Sequence, residues 1–291
     1  MIPRILAIAG SDSGGGAGIQ ADIKTITMLG GHAMTAITAV TAQNTLGVDA
    51  ILPVTAEMVL AQIDAVVRDI GVDAVKIGMI GSAEVAEALA ERLRRPDLAH
   101  VPVVFDPVMI ATTGAVLADA ATTFGFARLL TRAAVSTPNL DELAALTNMP
   151  VADEIAIGNA AAHLIEERGS GPILVTGARM PGGWIIGPSP SKQRRSTDNL
   201  LFDLLFCEEG GWHEVNWWDE RIDTDQDHGT GCTLSSAIAV GLGAGLDLSA
   251  AIAQARAYVR AALLAAPGLG QDHGPMGHNL GRAHFIRERD Q

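Results

Sequence analysis

Short apolar runs alternate with amphipathic stretches along the first 176 residues of the chain. The apolar runs are rich in β-branched and small residues and end at a glycine or a polar residue, which favours buried strands of a parallel sheet. We predict strands at Arg4–Ala9, Ala33–Ala42, Asp73–Gly78, Pro102–Asp106, Ala134–Thr137 and Pro172–Thr176.

The stretches between these runs carry apolar residues at helical spacing. The first begins at Ala17 and stops at Gly30, and its isoleucines recur at i, i+4 and i+7. Thr55 and Ser82 stand where the N-caps of the next two helices are expected. Further helices are predicted at 118–132, 139–147, 153–169, 233–243 and 248–265. The alternation predicts an α/β fold with a doubly wound, mostly parallel sheet and helices on both faces.

The segment from Met180 to Trp218 breaks this rhythm. We interpret it as an excursion with one or two antiparallel strands and a mobile loop near 189–196. The basic cluster Lys192, Arg194 and Arg195 is expected to be solvated there, with a lid over nucleotide phosphates as the alternative. Neither an internal repeat nor a long linker divides the chain, so we predict a single domain over residues 1–291.

A formal net charge of −13 narrows the range of partners. The acidic residues are scattered, whereas binding to nucleic acid or to an anionic membrane needs basic patches. Cys207 and Cys232 lack metal-type spacing, so a reducing cytoplasm fits better than a disulfide framework or a zinc site. The most apolar later segment, Ala237 to Leu246, falls short of the ~20 residues that span a bilayer. We expect a cytoplasmic protein that binds neither nucleic acid nor a membrane.

The residues that follow the predicted strands indicate where a ligand binds. In an open parallel sheet, ligands bind at the carboxyl ends of the strands. The residues expected along that edge are Asp12, Gln43, Met79, Asp106, Asn139 and Thr176. The chain contains neither G-x-G-x-x-G nor G-x-x-x-x-G-K-[ST], which argues against Rossmann dehydrogenases and P-loop kinases.

The turn DQDHGTGCTLSS, from Asp225 to Ser236, leads into an apolar helix at the same edge. Gly229 and Gly231 allow successive amides to turn inward where this helix starts. The free N–H groups and the helix dipole there form an anion site. Cys232 lies at the same terminus, where we expect the pKa of its thiol to drop. Gly-Thr-Gly alone would favour a plainer interpretation, a glycine-rich turn before a buried helix with a core cysteine.

Six blocks that occur in order along the chain resemble one family. The blocks are AGSDSGGGAGIQADIKT (9–25), TAQNTLGV (41–48), VKIGMIGS (75–82), VFDPVM (104–109), STPNLDEL (136–143) and HGTGCT (228–233). Together they resemble the hydroxymethylpyrimidine and phosphomethylpyrimidine kinases of thiamine biosynthesis, within the ribokinase-like superfamily. The resemblance covers nearly the whole chain. It implies a single-domain kinase that uses ATP and Mg²⁺ to phosphorylate 4-amino-5-hydroxymethyl-2-methylpyrimidine and then its monophosphate.

The resemblance also assigns residues to the substrate. It implies that Asp22 and Gln43 contact the aminopyrimidine alcohol and that Met79 packs on its ring. A glutamine amide offers a donor and an acceptor, which matches an aminopyrimidine edge.

At the phosphate end, the resemblance implies that Glu142 holds magnesium through water, with Asp106 as a weaker candidate. It also implies that Asn139, Thr176 and Thr224 contact the nucleotide. By the same resemblance, Gly229, Thr230 and Gly231 would form the anion hole. Cys232 stands where related sugar kinases carry an aspartate base, and it would accept or relay the proton of the alcohol.

Plainer explanations and departures from the family pattern leave alternatives open. Asn139 and Glu142 alone would be an ordinary helix start. Residues 176–179 read Thr-Gly-Ala-Arg where Lys-Gly-Gly-His is usual, and Asp227 replaces a threonine before the HGTGC block. A pyridoxal-type kinase and a non-catalytic pyrimidine-binding sensor are therefore the alternative functions. The family also leads us to expect a homodimer.

Overall fold

The computed structural model describes residues 1–112, 114–178, 199–208 and 213–281. Its strands are β1 (Arg4–Asp12), β2 (His32–Gln43), β3 (Val48–Pro53), β4 (Ala74–Ile77), β5 (Val103–Phe105), β6 (Val135–Ser136), β7 (Ile173–Ala178), β8 (Leu200–Cys207) and β9 (His213–Glu220). These strands form one sheet in the order β3-β2-β1-β4-β5-β6-β7-β8-β9.

The middle of this sheet is parallel and its two edges are antiparallel. Parallel pairing runs without a break from β2 through β1, β4, β5 and β6 to β7. At one edge β3 joins β2 antiparallel, and at the other edge β8 and β9 continue the sheet antiparallel. The predicted mostly parallel sheet is confirmed.

Helices cover both faces of the sheet. They are α1 (Gly18–Met28), α2 (Ala56–Asp69), α3 (Ala83–Arg92), α4 (Ala120–Leu130), α5 (Leu140–Thr147), α6 (Glu154–Ala162, continued by a π-helical turn at His163–Glu167), α7 (Thr230–Gly243) and α8 (Leu248–Leu264). The predicted caps are confirmed, because the hydroxyl of Thr55 accepts from the amide of Met58 and that of Ser82 accepts from the amide of Val85.

Alternate residues of β1 enter two different cores. Leu6 and Ile8 pack with residues of α2 to α6, and Ile5 and Ala7 pack with residues of α1, α7 and α8. A strand buried on both faces reads as a continuous apolar run, which is why β1 was recognisable from the sequence. The predicted helices on both faces are thus confirmed.

One strand, β3, was not predicted. It follows a tight turn in which the side chain of Asn44 accepts hydrogen bonds from the amides of Leu46 and Gly47, and it pairs with the end of β2. Most of its residues are exposed and it ends at Pro53, so it lacks the apolar pattern of a core strand. Proline is tolerated there because β3 is an edge strand.

The predicted excursion contains the antiparallel strands β8 and β9. The predicted mobile loop near 189–196 and the basic cluster within it lie outside the described residues. None of the helices in the described part of the chain is long and apolar enough to cross a membrane.

Two helical glycines give a matched test of the packing. A Cβ added at Gly241 in α7 would lie 2.7 Å from the Cβ of Ala251 in α8, whereas one added at Gly158 in α6 would come no closer than 3.8 Å, to the ring of Phe206. We expect Gly241→Ala to lower the free energy of unfolding by ~1–3 kcal/mol through overpacking. Gly158→Ala should raise it by ~0.5–1 kcal/mol, because alanine favours the helix.

Urea denaturation of both variants checks this prediction. Equal stabilisation of the two variants would mean that α7 and α8 do not cross as closely as the structure has them.

Candidate active site

A cleft of about 480 Å³ opens beside β1, where the order of the sheet reverses. The chain passes from β1 to β2 on one side and later to β4 on the other, and ligand crevices form at such a switch point. Its lining includes most of the predicted site residues: Gln43, Met79, Asp106, Asn139, Glu142, Thr176, Gly229, Thr230, Gly231 and Cys232. Asp22 and Thr224 are not part of this lining.

The predicted anion site lies at the start of α7. Gly229 is the N-cap of this helix and has a φ of 86°. A Cβ at that position would come 2.0 Å from the carbonyl oxygen of Gly16, so only glycine fits. The N–H groups of the first helical turn and the positive end of the dipole therefore lie at Thr230 and Gly231, on the wall of the cleft, where the amide of Thr230 also donates to the carbonyl oxygen of Asp227 at 3.3 Å.

A second cavity, of about 340 Å³, adjoins the same helix start. Thr176, Thr230 and Gly231 line both cavities. Thr224 lines only the second one, where its hydroxyl accepts a hydrogen bond from the amide of Gln226. Ligands in the two cavities would therefore meet at the N-terminus of α7.

Asp22 is buried and does not line the cleft, so its predicted contact with the substrate stays a prediction from sequence. Its side chain is 0% exposed. Its Oδ1 accepts from Nζ of Lys76 at 2.9 Å and from Oγ of Ser236 at 2.8 Å. Through Oδ1 this carboxylate forms a buried ion pair that joins α1 to β4 and α7, whereas its Oδ2 has no hydrogen-bond partner in the described part of the chain.

Lys76 is one of the residues near the cleft whose importance the sequence did not reveal. It stands in β4 between Val75 and Ile77 and is fully buried. Burial by itself would lower the pKa of a lysine, but the acidic groups around it, Asp22 foremost and then Cys232 and Asp106, raise the pKa instead. A lysine within an otherwise apolar strand was the available signal, because a buried lysine needs a partner.

The predicted drop in the pKa of Cys232 is wrong. Burial raises the pKa of this thiol to about 12, and the charges of Asp22 and Asp106 add to the rise, although Lys76 opposes it. The thiol is therefore protonated at neutral pH in the ligand-free protein. A helix terminus lowers a cysteine pKa only where burial does not outweigh it.

Asp106 and Glu142 form the acidic part of the cleft. Asp106 follows β5, and burial raises its pKa to about 6 although Lys76 opposes the rise. Burial raises the pKa of Glu142 to about 8, and the charge of Asp106 adds to this. Glu142 also closes a capping box with Asn139, in which each side chain accepts from the other residue's amide. The helix-start explanation of these two residues therefore holds alongside a place in the cleft.

His228 connects three segments around the cleft. Its Nε2 lies 3.0 Å from Oδ2 of Asp12 and 3.2 Å from the side-chain nitrogen of Gln43, and its Nδ1 lies 3.2 Å from Oγ1 of Thr112. Asp12 and His228 are 3% and 4% exposed. From sequence, Asp12 was only a strand-end residue and His228 only the first letter of a block. Their pairing spans 216 positions, so no local signal could reveal it.

Residues at or next to the two departures from the family pattern form hydrogen bonds with their neighbours. Oδ1 of Asp227 lies 2.7 Å from Nδ1 of His273, and this hydrogen bond raises the pKa of His273. After Thr176, the amide of Gly177 donates to Oδ1 of Asp203. Both Asp227 and Asp203 line the second cavity, so that wall carries acidic groups paired to neighbouring donors.

Two cavities that meet at one anion-binding helix start suit an enzyme that holds a phosphate donor beside its acceptor. The chain is such a phosphotransferase, a ribokinase-like small-molecule kinase. It belongs to the phosphomethylpyrimidine kinase family, whose sequence model matches residues 12–277.

Three comparisons illustrate the relationship. The chain is 45% identical over 276 residues to the hydroxymethylpyrimidine/phosphomethylpyrimidine kinase of Rhizobium meliloti, over 94% of this chain and 96% of that protein. An ADP complex of Bacillus subtilis pyridoxal kinase superposes with a TM-score of 0.79 at 30% identity, covering 96% of this chain and 98% of that one. Phosphomethylpyrimidine kinase from Clostridium difficile 630 superposes with a TM-score of 0.72 at 30% identity, covering 89% of this chain and 98% of that one.

These similarities confirm the predicted family, fold and kinase class. They also support the use of ATP, because solved neighbours of the fold were determined with ADP and with AMP-PCP. The alternative of a non-catalytic sensor finds no support among these relatives, which bear the names of kinases.

The buried ion pair predicts a non-additive stability cycle. Asp22→Asn and Lys76→Met should each lower the free energy of unfolding by ~3–5 kcal/mol, because each leaves a buried charge without its partner. The double variant should lose clearly less than the sum, since no charge is then left unpaired. Denaturant unfolding of the three variants measures the coupling.

The exposed pair Arg128–Glu87 provides the control. Glu87→Gln should change stability by less than ~1 kcal/mol. Additive losses for Asp22 and Lys76 would contradict a mutual pairing in the core.

Proposed function

We propose that this kinase transfers the γ-phosphoryl group of ATP to the hydroxymethyl group of 4-amino-5-hydroxymethyl-2-methylpyrimidine and then phosphorylates the monophosphate, in thiamine biosynthesis. One observation carries the proposal. Thr230 and Gly231 line both cavities, so a nucleotide in one and an alcohol in the other would meet at the anion-binding end of α7. The names of its relatives supply the substrate class.

The residues of the cleft divide between ring and phosphate. Gln43, at the end of β2, and Met79, just after β4, line the cleft that would hold the alcohol, where an amide would read the aminopyrimidine edge and a thioether would pack on the ring. Thr230 and Gly231 would stabilise the charge of the transferring group through backbone N–H groups. Phosphoryl transfer asks little covalent chemistry of the protein, so positioning and charge stabilisation dominate.

Asp106 and Glu142 fit a magnesium ion. Magnesium bound with ATP is usually held by one or two carboxylates, by phosphate oxygens and by water, so a cage of three protein ligands is not required. Both carboxyl groups have raised pKa values, and each lies in the field of other acidic groups, a donor set that a divalent cation would relieve. When bound, the ion would neutralise charge on the phosphates, while the two side chains orient it.

A pyridoxal-type kinase is the second candidate, and a specific observation favours it. The superposition on Bacillus subtilis pyridoxal kinase has a higher TM-score, 0.79, than that on the phosphomethylpyrimidine kinase from Clostridium difficile, 0.72. The sequence relatives favour the pyrimidine instead, with 45% identity for the Rhizobium meliloti enzyme.

Release of ADP in a coupled assay separates the two candidates. We expect kcat/KM for the aminopyrimidine to exceed that for pyridoxine by at least about tenfold, because only the former presents the donor and acceptor edge that suits Gln43. A preference for pyridoxine would overturn the proposed substrate.

The acidic pair predicts a pH-dependent magnesium requirement. Protons on Asp106 and Glu142 compete with the cation, and their pKa values are raised to about 6 and about 8. The concentration of Mg²⁺ needed for half-maximal rate should therefore fall as the pH rises from about 6 to about 8. Glu142→Gln should need more Mg²⁺ and should lose the upper part of this dependence. Magnesium titrations at several pH values measure both effects, and an unaltered titration in the variant would exclude Glu142 from the metal site.

The raised pKa of Cys232 changes what its substitution should do. A thiol with a pKa near 12 is a poor base at neutral pH, and a loose transition state loses the alcohol proton late. We expect Cys232→Ser to lower kcat by at most about 10²-fold, the lower end of the range for general-base assistance. The pH profile of kcat/KM should show no ionisation of this thiol near neutrality. A loss of about 10⁴-fold, or an ionisation that disappears in the variant, would restore the thiolate base.

The expected homodimer, the cytoplasmic location and the absence of nucleic-acid binding stay predictions from sequence. Measurement of molecular mass in solution checks the first of them.

A further inference from the structure

The terminal amide of Gln43 contacts two side chains, and their chemistry decides which way round it is held. Its nitrogen lies 3.2 Å from Nε2 of His228, and its oxygen lies 3.2 Å from Oγ1 of Thr41. A half-turn of an amide exchanges these two atoms without moving the rest of the side chain. The orientation therefore follows from the donors and acceptors on either side.

Asp12 determines the chemistry on the His228 side. Its Oδ1 accepts a hydrogen bond from the amide of Gly14, and its Oδ2 accepts from the amides of Gly16 and Ala17. Donors of this kind stabilise a carboxylate. Burial acts in the opposite direction, but His228 and the backbone amides outweigh it and lower the pKa of Asp12. Asp12 is therefore ionised at neutral pH and acts only as an acceptor.

His228 must then carry a proton on Nε2. This nitrogen lies 3.0 Å from Oδ2 of Asp12, and two acceptors at that distance would repel each other. The neutral imidazole protonated on Nε2 and the imidazolium both meet the requirement. In either form Nε2 has no free lone pair and cannot accept from Gln43. The amide atom that faces His228 therefore has to be the oxygen, which shares the single Nε2 proton with Asp12 in a bifurcated hydrogen bond.

Thr41 leads to the same orientation from the other side. Its hydroxyl has one proton, and its Oγ1 lies 2.8 Å from the carbonyl oxygen of Ser11, which can only accept. The hydroxyl therefore donates its proton to the carbonyl oxygen of Ser11, which is the nearer acceptor. The amide atom of Gln43 that faces Thr41 must therefore be a donor, which is the nitrogen.

We propose that His228 and Thr41 hold the amide of Gln43 with its oxygen toward His228 and its nitrogen toward Thr41, and that both are positioning residues for substrate specificity. This inference rests on the proposed function, in which Gln43 reads the aminopyrimidine edge. Gln43 lines the cleft, and its amide keeps one N–H and one lone pair for a ligand. The order in which these two groups face the ligand is then set by the protein.

An amide of Gln43 that is held in one orientation distinguishes two pyrimidines of nearly the same shape. The 4-amino compound presents a donor beside a ring nitrogen that accepts. In its 4-oxo analogue, 5-hydroxymethyl-2-methylpyrimidin-4-one, the donor and the acceptor exchange places. An amide free to turn would pair with either compound, whereas a held amide leaves the analogue unpaired. His228 and Thr41 thus give Gln43 its selectivity.

Selectivity is measured as the ratio of kcat/KM for the amino compound to kcat/KM for the oxo analogue. We expect His228→Leu and Thr41→Val each to lower this ratio by about 10- to 100-fold, because each removes one anchor of the amide. His228→Gln restores a donor close to the position of Nε2, and Thr41→Ser keeps the hydroxyl. The ratio in these two control variants should stay within about threefold of the wild-type ratio. A general loss of structure would lower kcat/KM for both compounds alike and would leave the ratio unchanged.

A second measurement needs no substrate. Nuclear magnetic resonance of wild-type protein labelled with nitrogen-15 histidine should show a proton on Nε2 of His228 at neutral pH. A proton on Nδ1 alone would overturn the proposal, and so would an unchanged ratio in both His228→Leu and Thr41→Val. If the wild-type protein does not phosphorylate the amino compound, the proposed function fails, while the resonance measurement still tests the Nε2 proton on which the amide orientation rests.

Discussion

The buried charge of Lys76 is the constraint on which the rest of the site depends. A lysine in the middle of a sheet is tolerated only with a partner, and Asp22 supplies the opposite charge from α1 while Ser236 of α7 completes the contact to that carboxylate. The pair therefore ties both helices to β4. Two loops that contribute to the cleft, residues 12–17 and 225–229, lead directly into α1 and α7, so this buried ion pair helps to fix where these loops lie.

The same two loops are joined again at the surface of the cleft. Gly229 approaches the carbonyl oxygen of Gly16 so closely that no side chain fits between them. The carboxylate of Asp12 accepts hydrogen bonds from backbone N–H groups of its own loop and also from His228 of the other loop. The acceptor side and the anion-binding side of the cleft are consequently parts of one hydrogen-bonded unit, which suits a reaction that depends on positioning.

Burial gives the acidic groups of the cleft an unusual character. It raises the pKa of Asp106, of Glu142 and of the Cys232 thiol, and Lys76 opposes the rise for Asp106 and Cys232. Such a cluster destabilises its own ionised form in the ligand-free protein and favours any ligand that brings positive charge. Perturbed groups of this kind are typical of functional sites, where stability gives way to function.

The pattern of the sequence was sufficient for the architecture. Ile5 to Ile8 are buried, and because both faces of their strand are covered, a continuous apolar run indicates a parallel strand without knowledge of its neighbours. Cap residues such as Thr55 indicate locally where a helix begins. The exposed edge strand β3 lacked that signal because it contributes little to either core. The glycines of HGTG and the ordered blocks likewise located the cleft, since the topology of an α/β sheet brings strand ends together.

Only the tertiary structure decided what individual side chains do there. Asp22 binds Lys76, which lies 54 residues away along the chain, and His228 binds Asp12, which lies 216 residues away. Neither pairing can therefore be inferred from a local motif. The pKa of Cys232 depends on how deeply α7 is packed and on which charges surround the thiol, and these outweigh the helix start visible in the sequence. Burial and electrostatic environment are properties of the folded chain, and for that reason the sequence could locate the site but not assign the charge state of its residues.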